Sequence, residues 1–317
     1  MPTLQSSAAV QGFGLFTSKP ASLFILAAEP GHGITFRRAD VPVSIRAEIG
    51  HLAPQPPGIP ARNTALAAPN HNPPVTVLTT EHVLSALVGL GITDAIIELD
   101  GAEVPILDGS AKPFVDAILK AGIEFGGEIS ERLLDRHGSR IGTQSDPSGT
   151  PITLTREITI ESGPARITAR PRAVPGARYT YELDYGPGAP IPPQRASWTV
   201  DPVQDSGPRD SGLSSSALRY VQDVAPARTF CLEAEAQQMR AMGLFKNLSP
   251  RDMLVIGPRG PIDNAYRFDN EPARHKLLDL IGDLALVGRP FQADITATRA
   301  GHAMNHAMAR ALLAAVG

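Results

Sequence analysis

The residues of this 317-residue chain whose spacing could support chemistry lie first in the segment RHKLLDLIGDL, residues 274–284. His275, Asp279 and Asp283 follow one another at intervals of four, which places all three on one face of an α-helix. The flanking positions are leucines and an isoleucine, so apolar core would surround this polar face. A buried carboxylate must be paired or bound to a metal, because an isolated charge is costly to remove from water. An imidazole and a carboxylate one helical turn apart are also good ligands for Zn²⁺.

The same spacing leaves an alternative open. An internal hydrogen-bond ladder would also explain the polar face, and the H-x-x-x-D pattern is common by chance. Asp283 would lie about 12 Å from His275 along a straight helix, because each residue rises ~1.5 Å. Asp283 is therefore better placed to orient another group than to complete the same metal site.

A second pair, Glu81 and His82, lies in the segment TTEHVLSAL, where a helix is predicted to begin. Adjacent helical residues do not share a face, but at a helix N-terminus both can address one pocket. The helix dipole there favours an ionised carboxylate, which suits a general base. The alternative is that Glu81 is only a favourable first-turn acid and that His82 lies on the surface.

A third group, RAGHAMNH, places His302 and His306 four residues apart at the start of the last predicted helix. An H-x-x-x-H pair can also bind a metal, so spacing alone does not decide which histidines do. One of the two could instead be a polar residue on an exposed face. Cys231 follows the segment ARTF and has no basic neighbour in the sequence to activate it. We therefore expect a small buried apolar side chain there and no nucleophile.

The bulk composition is that of a soluble protein, with 42% hydrophobic and 19% charged residues and a net charge of −3. The length allows two domains with separate cores, and the charge gives no basic surface for nucleic acid. One cysteine excludes an internal disulfide, which fits a reducing compartment. The N-terminal segment lacks the pattern of a signal peptide, and its apolar run LFILAA is too short to cross a bilayer. We expect a cytoplasmic protein without stable membrane insertion.

Hydrophobic periodicity and turn residues predict an α+β fold in which each half has strands followed by a pair of helices. Residues 136–150 are rich in Gly, Ser and Asp and predict a boundary between an N-terminal domain, 1–135, and a C-terminal domain, 151–317. Ser, Gly and Pro within residues 195–220 predict a flexible insertion. The predicted helices are 80–90, 110–122, 231–243, 272–287 and 302–315; the strands include 22–28, 33–37, 43–48 and 94–101.

Five segments in one order, TTEHVLSALVGLGI, EVPILDGSAKPFV, ARTF, RHKLLDLIGDL and GHAMN, resemble the zinc-dependent UDP-3-O-acyl-N-acetylglucosamine deacetylase family. That family performs the committed step of lipid A synthesis. The resemblance implies two similar α+β domains, each a β-sheet with a pair of helices, and the helices packed between the two sheets. It also implies hydrolysis of the N-acetyl group of UDP-3-O-(3-hydroxyacyl)-N-acetylglucosamine, with release of acetate.

The resemblance assigns the metal and the residues that act beside it. His82, His275 and Asp279 would hold Zn²⁺, or Fe²⁺, which suits the same ligands, and the open position would take water. Glu81 would be the general base for this water. The hydroxyl of Thr229 would share the oxyanion with the metal.

The resemblance also assigns the residues that meet the leaving group and the rest of the substrate. His302 would act as a cation that protonates the departing amine, and Asp283 would hold its ring in place. Lys276 would bind the substrate near phosphate, and Phe230 would border the sugar. His306 receives no role, since the family does not require a histidine at that position.

One segment departs from the family pattern and motivates an alternative substrate. The family usually has a histidine and a glycine where the segment GFGLFTS has Phe16 and Ser18. Phenylalanine cannot hydrogen-bond, so a zinc deacetylase acting on another N-acetylated sugar or nucleotide sugar is the second hypothesis. A non-catalytic binding homologue is the third, although the presence of every expected catalytic residue argues against it. No pattern predicts an obligate interface, and we expect a monomer.

Overall fold

The computed structural model describes residues 1–54, 62–68, 70–125, 150–200, 212–245, 249 and 253–315. The helices of this part are α1 (Glu81–Leu90), α2 (Lys112–Ala121), α3 (Ser215–Asp223), α4 (Glu233–Ala241), α5 (Glu271–Leu284) and α6 (His302–Ala314). The strands before residue 126 are β1 (Pro2–Leu4), β2 (Ala8–Phe13), β3 (Pro20–Ala27), β4 (Ile34–Arg38), β5 (Val43–Arg46), β6 (Leu66–Ala67), β7 (Thr76–Val77), β8 (Ala95–Leu99) and β9 (Ile123–Phe125). The later strands are β10 (Ile152–Thr153), β11 (Ile158–Ser162), β12 (Ala165–Pro171), β13 (Ala177–Leu183), β14 (Gln194–Val200), β15 (Phe230–Leu232), β16 (Leu254–Gly257), β17 (Gly260–Pro261) and β18 (Phe291–Thr298).

The two main sheets have the same topology. The N-terminal sheet has the strand order β2-β3-β8-β4-β5, and the C-terminal sheet has the order β11-β12-β18-β13-β14, with β10 paired beside β18. In each sheet one hairpin pairs antiparallel with the strand that comes last in that sheet along the chain, β8 or β18. On its other side this strand pairs in parallel with one strand of a second hairpin. The chain is therefore a structural repeat of two α+β units, although its sequence shows no internal repeat.

The helices pack between the two sheets, as the resemblance implies. Helix α5 contacts β13 and β14 of its own sheet and lies against α1 of the N-terminal unit, while α2 packs on β2. One continuous apolar core joins both sheets and these helices, and it includes Leu23 and Phe36 from one sheet and Tyr179 and Ile295 from the other. Burial of this core stabilises the two units together, since burial is worth roughly 25 cal/mol per Å² of apolar surface.

Helix α1 ends where the sequence predicts, because Gly91 adopts a left-handed φ of 74° and its N–H bonds back to the carbonyl of Leu87. Glycine takes this conformation without the steric cost of a Cβ atom. The predicted helices 110–122, 272–287 and 302–315 are confirmed as α2, α5 and α6 within two or three residues at each end. The predicted helix 231–243 begins later, because residues 230–232 form strand β15, which pairs with β16.

The predicted flexible insertion at 195–220 is wrong at both of its ends. Residues 194–200 form β14, on which Ala196 and Trp198 are buried, and residues 215–223 form α3. The indole N–H of Trp198 donates to the carbonyl of Ser216 at 2.9 Å, which joins the two elements. The prediction rested on the composition of the whole stretch, in which Ser, Gly and Pro from its middle part dominate. The alternation of buried and exposed residues along β14 was therefore overlooked. Residues 201–211 lie outside the described residues.

A small unit follows α3. Strands β15 and β16 are parallel and joined through α4, and β17 completes a three-stranded sheet. Its apolar side chains form a second cluster with Leu15, Phe16 and Ile106 of the N-terminal half. Residues 136–149 of the predicted boundary lie outside the described residues, so the boundary stays a prediction. None of the described helices has the length and apolar character needed to span a membrane.

Candidate active site

The candidate residues meet where the N-termini of α1 and α6 face the middle of α5. Glu81 and His82 form the first turn of α1, His275 and Asp279 lie on α5, and His302 is the first residue of α6. Each of these side chains is less than a tenth exposed. The alternative that His82 is a surface residue is therefore wrong, because His82 is 3% exposed.

A glycine allows α5 to approach α1 this closely. A Cβ atom at Gly282 would lie 2.0 Å from the backbone oxygen of Glu81. Glycine in a helix interior costs about 1 kcal/mol relative to alanine. Its presence in α5 is explained by this contact, which brings the first turn of α1 against the polar face of α5.

Three side chains form a group suited to a metal ion. Nε2 of His275 lies 3.3 Å and Nε2 of His82 lies 3.6 Å from Oδ1 of Asp279, and one ligand atom from each residue lies within 4.8 Å of the others. Nδ1 of His275 lies 3.1 Å from the carbonyl oxygen of Ala227. Because a carbonyl only accepts, the ring proton is on Nδ1 and the Nε2 lone pair faces Asp279.

The protonation states of this group also fit a metal site. Burial lowers the pKa of His275 to about 3, so its imidazole is neutral, as a ligand must be. Two imidazole nitrogens and one carboxylate oxygen are a donor set that divalent zinc or iron accepts.

Lys276 lies on the same helix as the ligands and turns toward the site. Its Nζ donates to Oδ2 of Asp279 at 2.9 Å and lies 5.8 Å from the centre of the Phe230 ring. Burial lowers the pKa of Lys276, but Asp279 outweighs it and the pKa is raised, so the ammonium is charged. The ammonium of Lys276 therefore lies close both to the group of His82, His275 and Asp279, called the metal-type group below, and to the ring of Phe230.

Asp283 and His302 form the second functional pair. Nδ1 of His302 donates to Oδ2 of Asp283 at 2.8 Å, and the amide of Asn305 donates to the same oxygen at 2.8 Å. Burial lowers the pKa of His302, but Asp283 outweighs it and raises that pKa to about 9. Nε2 of the His302 ring lies 4.0 Å from Oδ2 of Asp279, so the charged imidazole faces the first group.

Glu81 lies between these two groups and is 3% exposed. The backbone N–H of Thr64 donates to its Oε2 at 3.0 Å. The helix dipole was expected to favour the ionised form, but burial is the larger effect and raises the pKa of Glu81. A raised pKa makes a carboxylate a stronger base, which suits proton abstraction.

Thr229 and Phe230 are held against α5 by a buried ion pair. Nε of Arg228 lies 2.8 Å from Oε1 of Glu271, the first residue of α5, and both side chains are almost fully buried. The backbone N–H of Thr229 donates to the carbonyl of Gly109 at 2.6 Å. Sequence reasoning used the segment ARTF but assigned nothing to Arg228. A buried arginine needs a partner, yet its partner is 43 residues away.

These residues line one cavity of about 230 Å³. One wall is polar and contains Glu81, Lys276 and the metal-type group; the opposite wall is apolar. The apolar wall consists of Leu15, Phe16, Met239, Phe245 and Met253. Two larger cavities, of about 530 and 270 Å³, are lined by other residues. Cys231, which also borders the site cavity, is buried, and burial raises the pKa of its thiol to about 11, so it is no thiolate nucleophile.

Two further residues at the site, His306 and Thr64, received no role from the sequence. Nε2 of His306 lies 2.8 Å from Oγ1 of Thr64 and 3.5 Å from Oδ1 of Asp283. His306 is buried and forms, with Asp283 and His302, a second group of metal-type side chains. Hydrogen bonds within the chain already occupy this second group. The spacing of His302 and His306 was visible in the sequence, but Thr64 lies in a stretch without any signal.

Comparison with known proteins finds matches over nearly the whole chain. The family model described as UDP-3-O-acyl N-acetylglycosamine deacetylase matches residues 1–314. Proteins named UDP-3-O-acyl-N-acetylglucosamine deacetylase include one from Geobacter sp. (strain M21), 33% identical over 98% of this chain and 88% of that protein. Another, from Nostoc sp. (strain PCC 7120), is 32% identical over 98% of both chains. The segments that carry the site thus lie within a match of almost full length, and the chain belongs to the UDP-3-O-acyl N-acetylglycosamine deacetylase family.

Proposed function

We propose that this protein hydrolyses the N-acetyl group of UDP-3-O-(3-hydroxyacyl)-N-acetylglucosamine and releases acetate, the committed step of lipid A synthesis. The observation that carries the proposal is the buried group of His82, His275 and Asp279, which shares one cavity with Glu81 and His302. Family membership supports the same activity. The products are acetate and the free amine of the sugar.

We assign Zn²⁺ to the group of His82, His275 and Asp279, and Fe²⁺ would suit the same ligands. When bound, the metal lowers the pKa of a water molecule and polarises the acetamide carbonyl. Two of its ligands come from α5 and one from α1, so the two halves of the molecule both contribute to the site.

Glu81 acts as the general base in this proposal. Its carboxylate is buried and accepts a hydrogen bond from the backbone N–H of Thr64, which lies outside α1. This hydrogen bond fixes the orientation of the carboxylate. Thr229 lines the same cavity, and its hydroxyl donates to the oxyanion that forms when the acetyl carbonyl oxygen takes up negative charge. Removal of a single oxyanion donor costs on the order of 10²–10³ in kcat in other hydrolases.

His302 acts as the general acid. With a pKa of about 9 its imidazole is protonated at neutral pH, so it can donate the proton that the amine needs as the C–N bond breaks. Asp283 positions the ring, because its carboxylate fixes Nδ1 and turns Nε2 toward the metal-type group. The acid and the base therefore stand on different helices.

The rest of the cavity matches the rest of the substrate. Lys276 offers a cation to the diphosphate side, and the Phe230 ring offers an apolar face to the sugar. Phe16 lies in the apolar wall, where it suits contact with an acyl chain better than with phosphate. This placement favours the acylated nucleotide sugar over a smaller N-acetylated sugar, and we propose that the protein acts on it as a monomer.

Acetate release from UDP-3-O-(3-hydroxyacyl)-N-acetylglucosamine by protein of known zinc content, with a chelator control, tests the proposal. We expect turnover that the chelator removes and added Zn²⁺ restores. Unacylated UDP-N-acetylglucosamine and the acylated sugar without UDP are the comparison substrates. Faster turnover of either one would assign the chemistry to a different substrate, and no turnover of any at one zinc per chain would support a non-catalytic binding protein.

A further inference from the structure

Thr64 is fully buried where α1, α5 and α6 meet, and every one of its polar groups is used. Its carbonyl accepts from the backbone N–H of Thr80 at 3.1 Å and from the Thr80 hydroxyl at 3.2 Å, immediately before α1. Its N–H donates to Oε2 of Glu81 at 3.0 Å. The backbone of Thr64 is therefore fixed against the first turn of α1.

The hydroxyl of Thr64 points to the other helices. It donates to Oδ1 of Asp283, since an ionised carboxylate can only accept. A hydroxyl has one proton, so the contact of 2.8 Å with Nε2 of His306 requires the imidazole to donate. The result is a directed chain in which His306 donates to Thr64, Thr64 donates to Asp283, and Asp283 accepts from His302.

We propose that Thr64, with His306 behind it, is a positioning residue that holds the Asp283 carboxylate in the orientation that aims His302 at the leaving group. The proposal rests on the function proposed above, in which His302 is the general acid. Oδ1 of Asp283 is bound by the Thr64 hydroxyl and Oδ2 is bound by His302 and Asn305. Without the Thr64 hydroxyl, Oδ1 of Asp283 keeps only the longer contact of 3.5 Å with Nε2 of His306, and the carboxylate can rotate.

The role of His306 is to orient and polarise the Thr64 hydroxyl. Its Nε2–H occupies a lone pair of the hydroxyl oxygen, which leaves the hydroxyl proton free for Asp283 only. These contacts explain why a buried imidazole lies at this position, although His306 itself does not line the site cavity.

The variants Thr64→Val and Thr64→Ser test the hydroxyl. Valine keeps the shape and the backbone N–H to Glu81 but removes the hydroxyl, whereas serine keeps the hydroxyl. We expect kcat to fall about ten- to hundredfold in T64V, with KM within about twofold and zinc content unchanged, and to stay within about threefold in T64S. A T64V kcat within twofold of wild type, or a T64S kcat as low as that of T64V, would overturn the proposal.

The matched control is Thr3→Val. The hydroxyl of Thr3 is equally buried and makes two hydrogen bonds, to the carbonyl of Asp94 and from the N–H of Ala28, in the N-terminal unit away from the site. Its loss should lower the melting temperature by an amount similar to T64V and leave kcat unchanged. An equal loss of kcat in both variants would mean that general destabilisation, not positioning, explains the result for Thr64.

A double-mutant cycle with Asp283→Asn separates positioning through Asp283 from any other effect of the hydroxyl. Because Thr64 acts through that carboxylate, T64V should lower kcat by less than about twofold in the D283N background. His306→Phe should lower kcat, as T64V does. His306→Gln retains a hydrogen-bond donor and should lower kcat less than His306→Phe. Full additivity of T64V and D283N would contradict the proposed chain.

A measurement without substrate keeps this inference separate from the proposed function. The proton shared by Nδ1 of His302 and Asp283 gives a low-field proton NMR resonance, and we expect it to move or broaden in T64V and to persist in T64S and in Thr3→Val. An unchanged resonance in T64V would overturn the positioning role. Absence of acetate release by the wild-type protein would instead refute the proposed function, whatever the resonance does.

Discussion

At the scale of single residues, two buried side chains at the site have their charge set by a named neighbour. Asp279 is 2% exposed, yet the ammonium of Lys276 keeps it ionised. Asp283 keeps the imidazole of His302 cationic despite burial. The family resemblance implied that Asp283 holds His302. The sequence predicted the contact of His275 with Asp279 from a spacing of four on one helix, because helical geometry is local. It did not predict Thr64, which reaches Asp283 across 219 positions of the chain and has no local signal.

The first prediction concerns Asp279, the carboxylate of the proposed metal site. The variant Asp279→Ala should lose zinc and all measurable turnover, because it removes the only carboxylate of the proposed ligand set and the partner of Lys276. Metal content by mass spectrometry after gel filtration, together with acetate release, is the measurement. Asp116→Ala, which removes an exposed acid paired with Lys112, should leave both unchanged. Full zinc content and activity in the Asp279 variant would refute the ligand assignment.

The second prediction concerns the base. Glu81→Gln keeps the acceptor for the N–H of Thr64 but removes the basic oxygen, and Glu81→Ala removes both. Both variants should retain zinc and lose two to four orders of magnitude in kcat, roughly the contribution of a positioned general base. Loss of zinc from the glutamine variant would mean that Glu81 belongs with the ligands and not with the base.

At the scale of elements, the site depends on how closely two helices from different halves approach each other. The first turn of α1 contacts α5 at Gly282. The loop immediately before Phe230 is joined to the start of α5 by the ion pair of Arg228 and Glu271. Sequence periodicity predicted both helices and nearly all of their bounds. It did not predict which face of α1 lies against Gly282. A glycine in a helix shows that another group can approach closely, but the sequence does not show which group that is.

The third prediction tests this contact. Gly282→Ala should lower the free energy of unfolding by about 1–3 kcal/mol or more, although alanine is the better helix former, because its Cβ would lie 2.0 Å from the backbone of Glu81. Activity should fall as well, since Glu81 must move. Gly50→Ala is the control, because nothing lies within 4 Å of its added Cβ. The measurements are chemical denaturation and acetate release for both variants. A Gly282→Ala variant as stable and active as wild type would show that α1 and α5 can accommodate the added Cβ atom, which would contradict the prediction.

At the scale of the whole molecule, a repeated unit has been specialised in two ways. The strand orders of the two sheets correspond strand for strand, but the N-terminal unit contributes Glu81 and His82, and the C-terminal unit contributes His275, Asp279 and His302. The α+β class was predictable because strands and helices have different periods. The similar make-up of the two halves was predicted as well. Their matching strand order was not, because strand pairing requires only that certain positions be apolar, and many apolar residues meet that requirement equally well.

Since the proposed ligands come from both units, the metal should act as a link between them, and this is the last prediction. Removal of zinc should lower the melting temperature, because a ligand that binds only the folded state stabilises it by about 4 kcal/mol at a thousandfold excess over Kd. Differential scanning calorimetry of zinc-loaded and chelator-treated protein measures the shift, and added Zn²⁺ should reverse it. The Asp279→Ala variant should melt at the same temperature with and without chelator, since its ligand set is incomplete. Identical melting of the two wild-type forms would place the metal outside the junction of α1 and α5 and would contradict the assignment of His82 as a ligand.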